Sequence, residues 1–197
     1  MLFDGAIAAI IIALIAGGRF SRLARLDLRW AWVFVAAFGV RFAIIFGGAR
    51  AWPPMIVAAP TLHVLSYVFL LAALAANWRL RPLWIAAIGV VMNFAVIAAN
   101  HGAMPADAAL ARAAGQGPIL DLARAGRYPT HTTMDAHTRL PWFADRFLLP
   151  HPYPRPSVFS LGDIFITLGV VLLILYGMGA FGWGRKQSAA PQPDAGA

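Results

Sequence analysis

SVFSLGDIFITLGVVLLIL, residues 157–175, decides the fold. From 164 to 181 no residue is charged. At about 1.5 Å of rise per helical residue such a run reaches roughly 27 Å, close to the ~30 Å of a bilayer's hydrocarbon core. Its start is also marked, since Ser160 followed three residues later by Asp163 has the spacing of an N-cap and an acidic partner.

Working outward, four further apolar runs occupy 2–16, 30–46, 61–76 and 83–99. The composition agrees: 60% of the 197 residues are hydrophobic and 12% charged, with a mean hydropathy of +0.70. Soluble domains usually carry about 25% charged residues. The expected fold is an all-α integral membrane protein with five transmembrane helices in one membrane domain over 1–183. The Ala-, Pro- and Gln-rich tail 184–197 reads as disordered.

Charge orients the helices. Arg19, Arg22, Arg25, Arg29, Arg79, Arg81, Arg185 and Lys186 fall on one side of the runs, and only Arg50 lies in the short connector on the other. The positive-inside rule then puts the N-terminus outside, the C-terminus in the cytoplasm and the loop 100–160 outside. The first run is not a secretory signal, because Asp4 precedes its core and the arginines follow it. Gly5, Ala9, Ala13 and Gly17 recur every fourth residue and predict close helix packing. A net charge of +8 could suggest nucleic acid. The arginines cap apolar runs instead, and a basic patch interleaved with stacking aromatics is missing. The absence of cysteine excludes disulfides, thiolate nucleophiles and Cys-ligated metals.

In the external loop, MPADAALARAAG (104–115) predicts a short surface helix with Asp107 in its first turn and Gly115 past its end. LPWFADRFLL (140–149) predicts a second, lying along the headgroups. PHPYPRP (150–156) alternates proline with other residues, and predicts an extended strut of roughly 20 Å.

On this topology a polar belt forms at one depth: Asp4, Arg41, His63, Asn93, Asn100 and Asp163, at least one from each helix. An ionisable group inside a membrane costs several kcal/mol unless paired or hydrated, so Arg41 should face the bundle interior, with Asp163 or Asp4 as counter-charge. The belt is either a lock between helices or an outward-facing polar pocket for a ligand or for catalysis. His101, His131, His137 and His151 share the loop, but with His63 they match no compact metal-site spacing, and the chain has no HExxH and no glutamate. They read as solvated loop residues, and neither metal nor cofactor is expected.

At NFAVIAANHGAMP (93–105), HTRLPWFADRFLLP (137–150) and SVFSLGDIFITLGVVLLIL the chain resembles a bacterial family of small multi-pass membrane proteins of unknown function. The resemblance runs over all five helices without the tail. It implies a multi-pass protein of the bacterial cytoplasmic membrane and marks Asn100, Gly102, Met104, Pro105, Asp145, Gly162 and Asp163; it implies no activity. The stretch 158–175 is also similar to the last helix of lipoprotein signal peptidases, where an aspartate at the outer membrane edge pairs with an earlier one. Asp163 and Asp145 would match that pair, which shares one proton and activates water. The chain departs from the pattern with Ser160 for Asn, Gly162 for Ala, five helices for four and no upstream Asn-x-x-Asp-Arg element. The expected function is a non-enzymatic accessory or a small binding or transport component. The alternative is a membrane aspartyl-type hydrolase using Asp145 and Asp163. Expected partners are the lipid bilayer and another membrane protein or a homo-oligomer, with no nucleic acid.

Overall fold

The computed structural model describes residues 1–183, so the tail 184–197, with Arg185 and Lys186, lies outside the described residues. Among the described residues, four helices are long and apolar enough to cross a membrane: α3 (Ala31–Ala49), α4 (Pro53–Ala76), α5 (Pro82–Ala99) and α8 (Leu161–Met178), with mean hydropathies of 1.9 to 2.2. α1 (Leu2–Ile15) is apolar but has 14 residues, and α2 (Phe20–Leu23) is a single turn behind it.

The ends of these helices follow local chemistry. α8 begins three residues before the predicted 164 because Ser160 and Asp163 form a reciprocal cap. α4 departs most from its predicted start at residue 61. It begins at Pro53, since prolines in the first turn are preset for helix and lose no hydrogen bond there. It then runs through Pro60, whose missing N–H a membrane helix can tolerate where neighbours meet the freed carbonyl.

Neighbours in the bundle run α1, α8, α5, α4, α3. Small residues set the central contact. A Cβ on Gly89 of α5 would lie 2.7 Å from the Ile166 nitrogen of α8, and one on Gly169 would meet Ala86. The α1 stripe packs as predicted for three of its four members. Gly5 abuts Thr167, and Ala9 and Ala13 are fully buried, Ala13 in a cluster with Leu175 and Met178. Gly17 instead takes φ +79° in the turn that ends the helix, with open space around it.

Above the end shared by the C-terminus of α5 and the N-terminus of α8 sits the segment 100–160. β1 (Met104–Ala106) pairs in parallel with β2 (His131–Thr133), and β3 (Phe147–Leu149) pairs antiparallel with β4 (Ser157–Phe159). α6 (Ala108–Ala113) and α7 (Gly117–Arg124) lie between the first two strands. The predicted helix over 104–115 is thus shorter. Asp107 is its N-cap, accepting from the N–H groups of Ala109 and Leu110 at 2.9 and 3.0 Å, so Met104 to Ala106 are left to the strand.

Two loop expectations are overturned. The predicted surface helix 140–149 is a 3-10 turn at Pro141–Phe143 followed by β3. Leu140 enters that turn at φ +54°, which breaks helical continuity, and Phe147 stacks on Phe159 across the ladder with centroids 5.8 Å apart. The predicted extended strut 150–156 is a loop instead. Leu149 pairs with Ser157, so these residues form a hairpin loop and the chain returns on itself.

Candidate functional site

The first half of the site grows from the cap of α8. Ser160 Oγ accepts the Asp163 N–H at 3.1 Å, and Asp163 Oδ2 accepts the Ser160 N–H at 3.0 Å. Gly162, between them, lets α5 come close: a Cβ there would sit 2.6 Å from Asn93 Cγ. Asn93 uses that space to donate from Nδ2 to Asp163 Oδ1 at 3.0 Å and to accept the Ser160 hydroxyl on Oδ1 at 2.9 Å. Asn93 and Ser160 are fully buried, and within this ring each of their side-chain polar atoms has a partner.

The second half is built on β1. Asp145 forms a bridge with Ala106, its N–H donating to Pro105 O at 3.0 Å and its carbonyl accepting the Asp107 N–H at 2.9 Å. On the other edge of β1, Met104 is in register with His131. The strand therefore sets the two side chains together, His131 Nε2 lying 3.6 Å from Asp145 Oδ2. Asp145 is 6% exposed, and its Oδ1 has no hydrogen-bond partner among the described residues. Burial first, then the Asp163 charge, pushes the Asp145 carboxyl well above its ordinary range, with Arg41 opposing. Burial also holds His131 down to about 3, helped by the nearby Arg41 and His63. An ion pair at 3.6 Å would favour the charged forms, but both groups sit where burial opposes charge. Burial therefore favours a protonated carboxyl beside a neutral imidazole.

The halves meet in a cavity of about 160 Å³ walled by Arg41, Tyr67, Asn93, His131, Asp145 and Asp163. A second cavity of about 340 Å³ shares Arg41, Tyr67 and Asp163 as walls and continues among Leu2, Phe38, Leu70, Val90 and Ile166. A polar chamber and an apolar one thus adjoin at the end of the bundle beneath the loop.

Four of the sequence-predicted site residues, Arg41, Asn93, Asp145 and Asp163, are brought together here. Three others are not among the walls. Asp4 pairs with the Met1 amino group at 3.1 Å and with Arg155 of the hairpin loop, not with Arg41. His63 is buried and donates from Nδ1 to the Gly102 carbonyl at 2.7 Å, fixing α4 to the turn after α5. Asn100 ties Val96 O and the Arg139 backbone through bonds of 2.7 to 2.9 Å. Among the described residues, no carboxylate lies within ion-pair distance of Arg41. Nor do three His or Asp residues gather there in a way that could hold a metal.

Sequence reasoning missed two walls. His131 read as one solvated histidine among four, and His101, His137 and His151 are indeed exposed. Only the parallel pairing of β1 with β2 singles His131 out, and no periodicity announces a parallel pair of three-residue strands. Tyr67 sits one helical turn beyond His63 on α4 and packs edge-on against it, 5.5 Å between centroids; that spacing was a usable signal.

Residues 25–175 match the profile of the Family of unknown function (DUF5317), and the chain belongs to that family. The match takes in every wall of the polar cavity but leaves out α1, so it is narrower than the five-helix span the resemblance suggested. No curated protein and no solved structure matches the chain.

Proposed function

We propose that this protein is a five-span component of the bacterial cytoplasmic membrane, N-terminus outside, which binds a small ligand in the polar cavity as an accessory or transport subunit and not as an enzyme. The observation that carries the reading is Arg41: a guanidinium within a hydrophobic bundle, walled with two aspartates and a histidine, without a carboxylate in pairing range among the described residues. Such a charge is costly in a membrane unless something pairs with it, and a polar ligand would do so.

Two features support the topology. Arg29 and Asn77 exchange hydrogen bonds of 2.6 and 2.8 Å, holding the arginine-bearing segment 19–29 against the turn with Arg79 and Arg81, so six arginines gather at the end away from the cavity. The 14 residues of α1 reach only about 21 Å, a deficit that local bilayer thinning can absorb. A reporter fused within 100–160 should give an external signal; a cytoplasmic one would refute the orientation. Arg41→Gln tests the site: ligand binding should fall while protein level holds, and an equal fall in both would reduce Arg41 to a helix lock. With so few helices and no visible inverted repeat, a transport role would call for a partner or a homo-oligomer.

One observation favours a second reading, an aspartyl-type membrane hydrolase. Asp145 and Asp163 face the same cavity despite the headgroup position expected of Asp145, and their surroundings differ as acid and base partners should. Against it, both Asp163 oxygens are engaged by Asn93 and Ser160, while Asp145 leans to His131. Hydrolysis of a membrane-anchored peptide by wild type and by neither Asp145→Asn nor Asp163→Asn, at equal protein levels, would establish it.

A further inference from the structure

We infer that the ligand is a single-chain anionic amphiphile, with its charged head in the polar cavity against Arg41 and its hydrocarbon chain in the apolar chamber; this rests on the binding reading above. The polar cavity, about 160 Å³, is smaller than the roughly 300–1,000 Å³ of ordinary ligand pockets, whereas the adjoining chamber, about 340 Å³, falls within that range. One molecule reaching both must be polar at one end and apolar along the rest. The sign of the head follows from the walls. The Asp163 carboxylate is already satisfied by two donors and by the N-terminus of α8, which leaves Arg41 as the wall cation without an anion. Asp145, buried with a free Oδ1, can offer its proton to a head-group oxygen. A head rich in anionic oxygens, a carboxylate or a phosphate monoester, fits both, whereas an ammonium head would meet Arg41 unfavourably. A single chain suits the space, because the chamber offers only about 340 Å³, with Leu2 of α1 among its walls.

The test uses the full chain in non-ionic detergent, with dodecanoate, dodecyl phosphate and uncharged dodecanol as probes and binding read by native mass spectrometry and calorimetry. Wild type should bind at least one charged probe tenfold or more tighter than dodecanol, and the comparison of carboxylate with phosphate names the head. Arg41→Gln should erase that preference and Arg41→Lys retain part of it. Ala37→Phe, which fills the chamber wall, should weaken the twelve-carbon probes while leaving acetate or inorganic phosphate unaffected. Equal binding of charged and uncharged probes, or no response to Arg41→Gln, would overturn the inference. If the small anions bind as tightly as the amphiphiles, the amphiphile inference fails while the binding reading stands. If no probe and no small anion binds, both fail.

Discussion

Asp163→Asn should destabilise the protein by about 2–4 kcal/mol, because an amide cannot replace a carboxylate between two donors. Oδ1 receives Asn93 Nδ2 at 3.0 Å and Oδ2 receives the Ser160 N–H at 3.0 Å. An amide offers one acceptor and one donor, so in either orientation an NH2 faces another N–H. Hydrogen bonds to a charged group are worth roughly 1.5–3 kcal/mol, and removing the negative charge from the first turn of α8 costs about a further 0.3–1 kcal/mol. Asn93 cannot flip to compensate, since its Oδ1 is taken by the Ser160 hydroxyl at 2.9 Å. The compensating change is Asn93→Asp. With the amide now at 163 and the carboxylate at 93, every donor in the ring again meets an acceptor, and only the helix-terminus charge is displaced. Thermal and denaturant unfolding in one detergent should give a coupling of at least about 1.5 kcal/mol in the double-mutant cycle. If Asp163→Asn costs under about 0.5 kcal/mol, or if the two changes simply add, the ring does not hold α5 to α8 as described.

Three further outcomes are expected. Asn77→Ala, which removes hydrogen bonds of 2.6 to 2.8 Å to Arg29 and Ala73 from a buried site, should cost about 2–4 kcal/mol, visible as a lowered unfolding midpoint. Gly89→Ala should cost about 1–3 kcal/mol by prising α5 from α8, although alanine is the better helix former; a stabilised variant would contradict the packing. The pH response should divide between Asp145 and His131. Asp145 keeps its proton in the fold above its usual 3.8, so its contribution falls as pH rises past about 4. His131, held to about 3, binds fewer protons folded than unfolded below 6.5, so its contribution falls as pH drops from 6.5 towards 3. His131→Gln should therefore leave stability declining with rising pH and Asp145→Asn leave it declining with falling pH, as pH-resolved melting curves would report.

Four of the five expected spans and the α8 cap were legible because each depends on residues close in sequence: apolar length for the spans, Ser160 with Asp163 for the cap. The gathering of Arg41, Asn93 and Asp163 was legible too, once depth in the membrane was used as a coordinate. What was hidden depends on pairing at a distance. Asp145 enters the cavity because 145 bridges Ala106, thirty-nine residues earlier in the loop, and His131 because it is in register with Met104. Proline alternation in 150–156 was read as stiffness and reach, yet the pairing of Leu149 with Ser157 closes those residues into a turn. The local φ preference was the same in both readings, and the strand pairs on either side decided the path.

Asp163 and Asp145 differ in what their loss would mean. Asp163 holds two helices together, so its replacement lowers stability whether or not it meets a ligand, and a loss of function there is ambiguous. The Asp145 side chain contributes little that a folded chain needs: it is buried, one oxygen is unpartnered among the described residues, and the other lies 3.6 Å from His131 Nε2, beyond hydrogen-bond range. A buried polar atom without a partner costs about 1–3 kcal/mol, so such a carboxyl is kept against stability. Asp145→Asn should thus leave the unfolding midpoint unchanged or raised while weakening the charged probes, because an amide N–H is a weaker donor to an anionic head than the carboxyl O–H. If the same substitution lowers the midpoint by several degrees, Asp145 is instead a structural prop of β1, and Arg41 is left to carry the ligand reading alone.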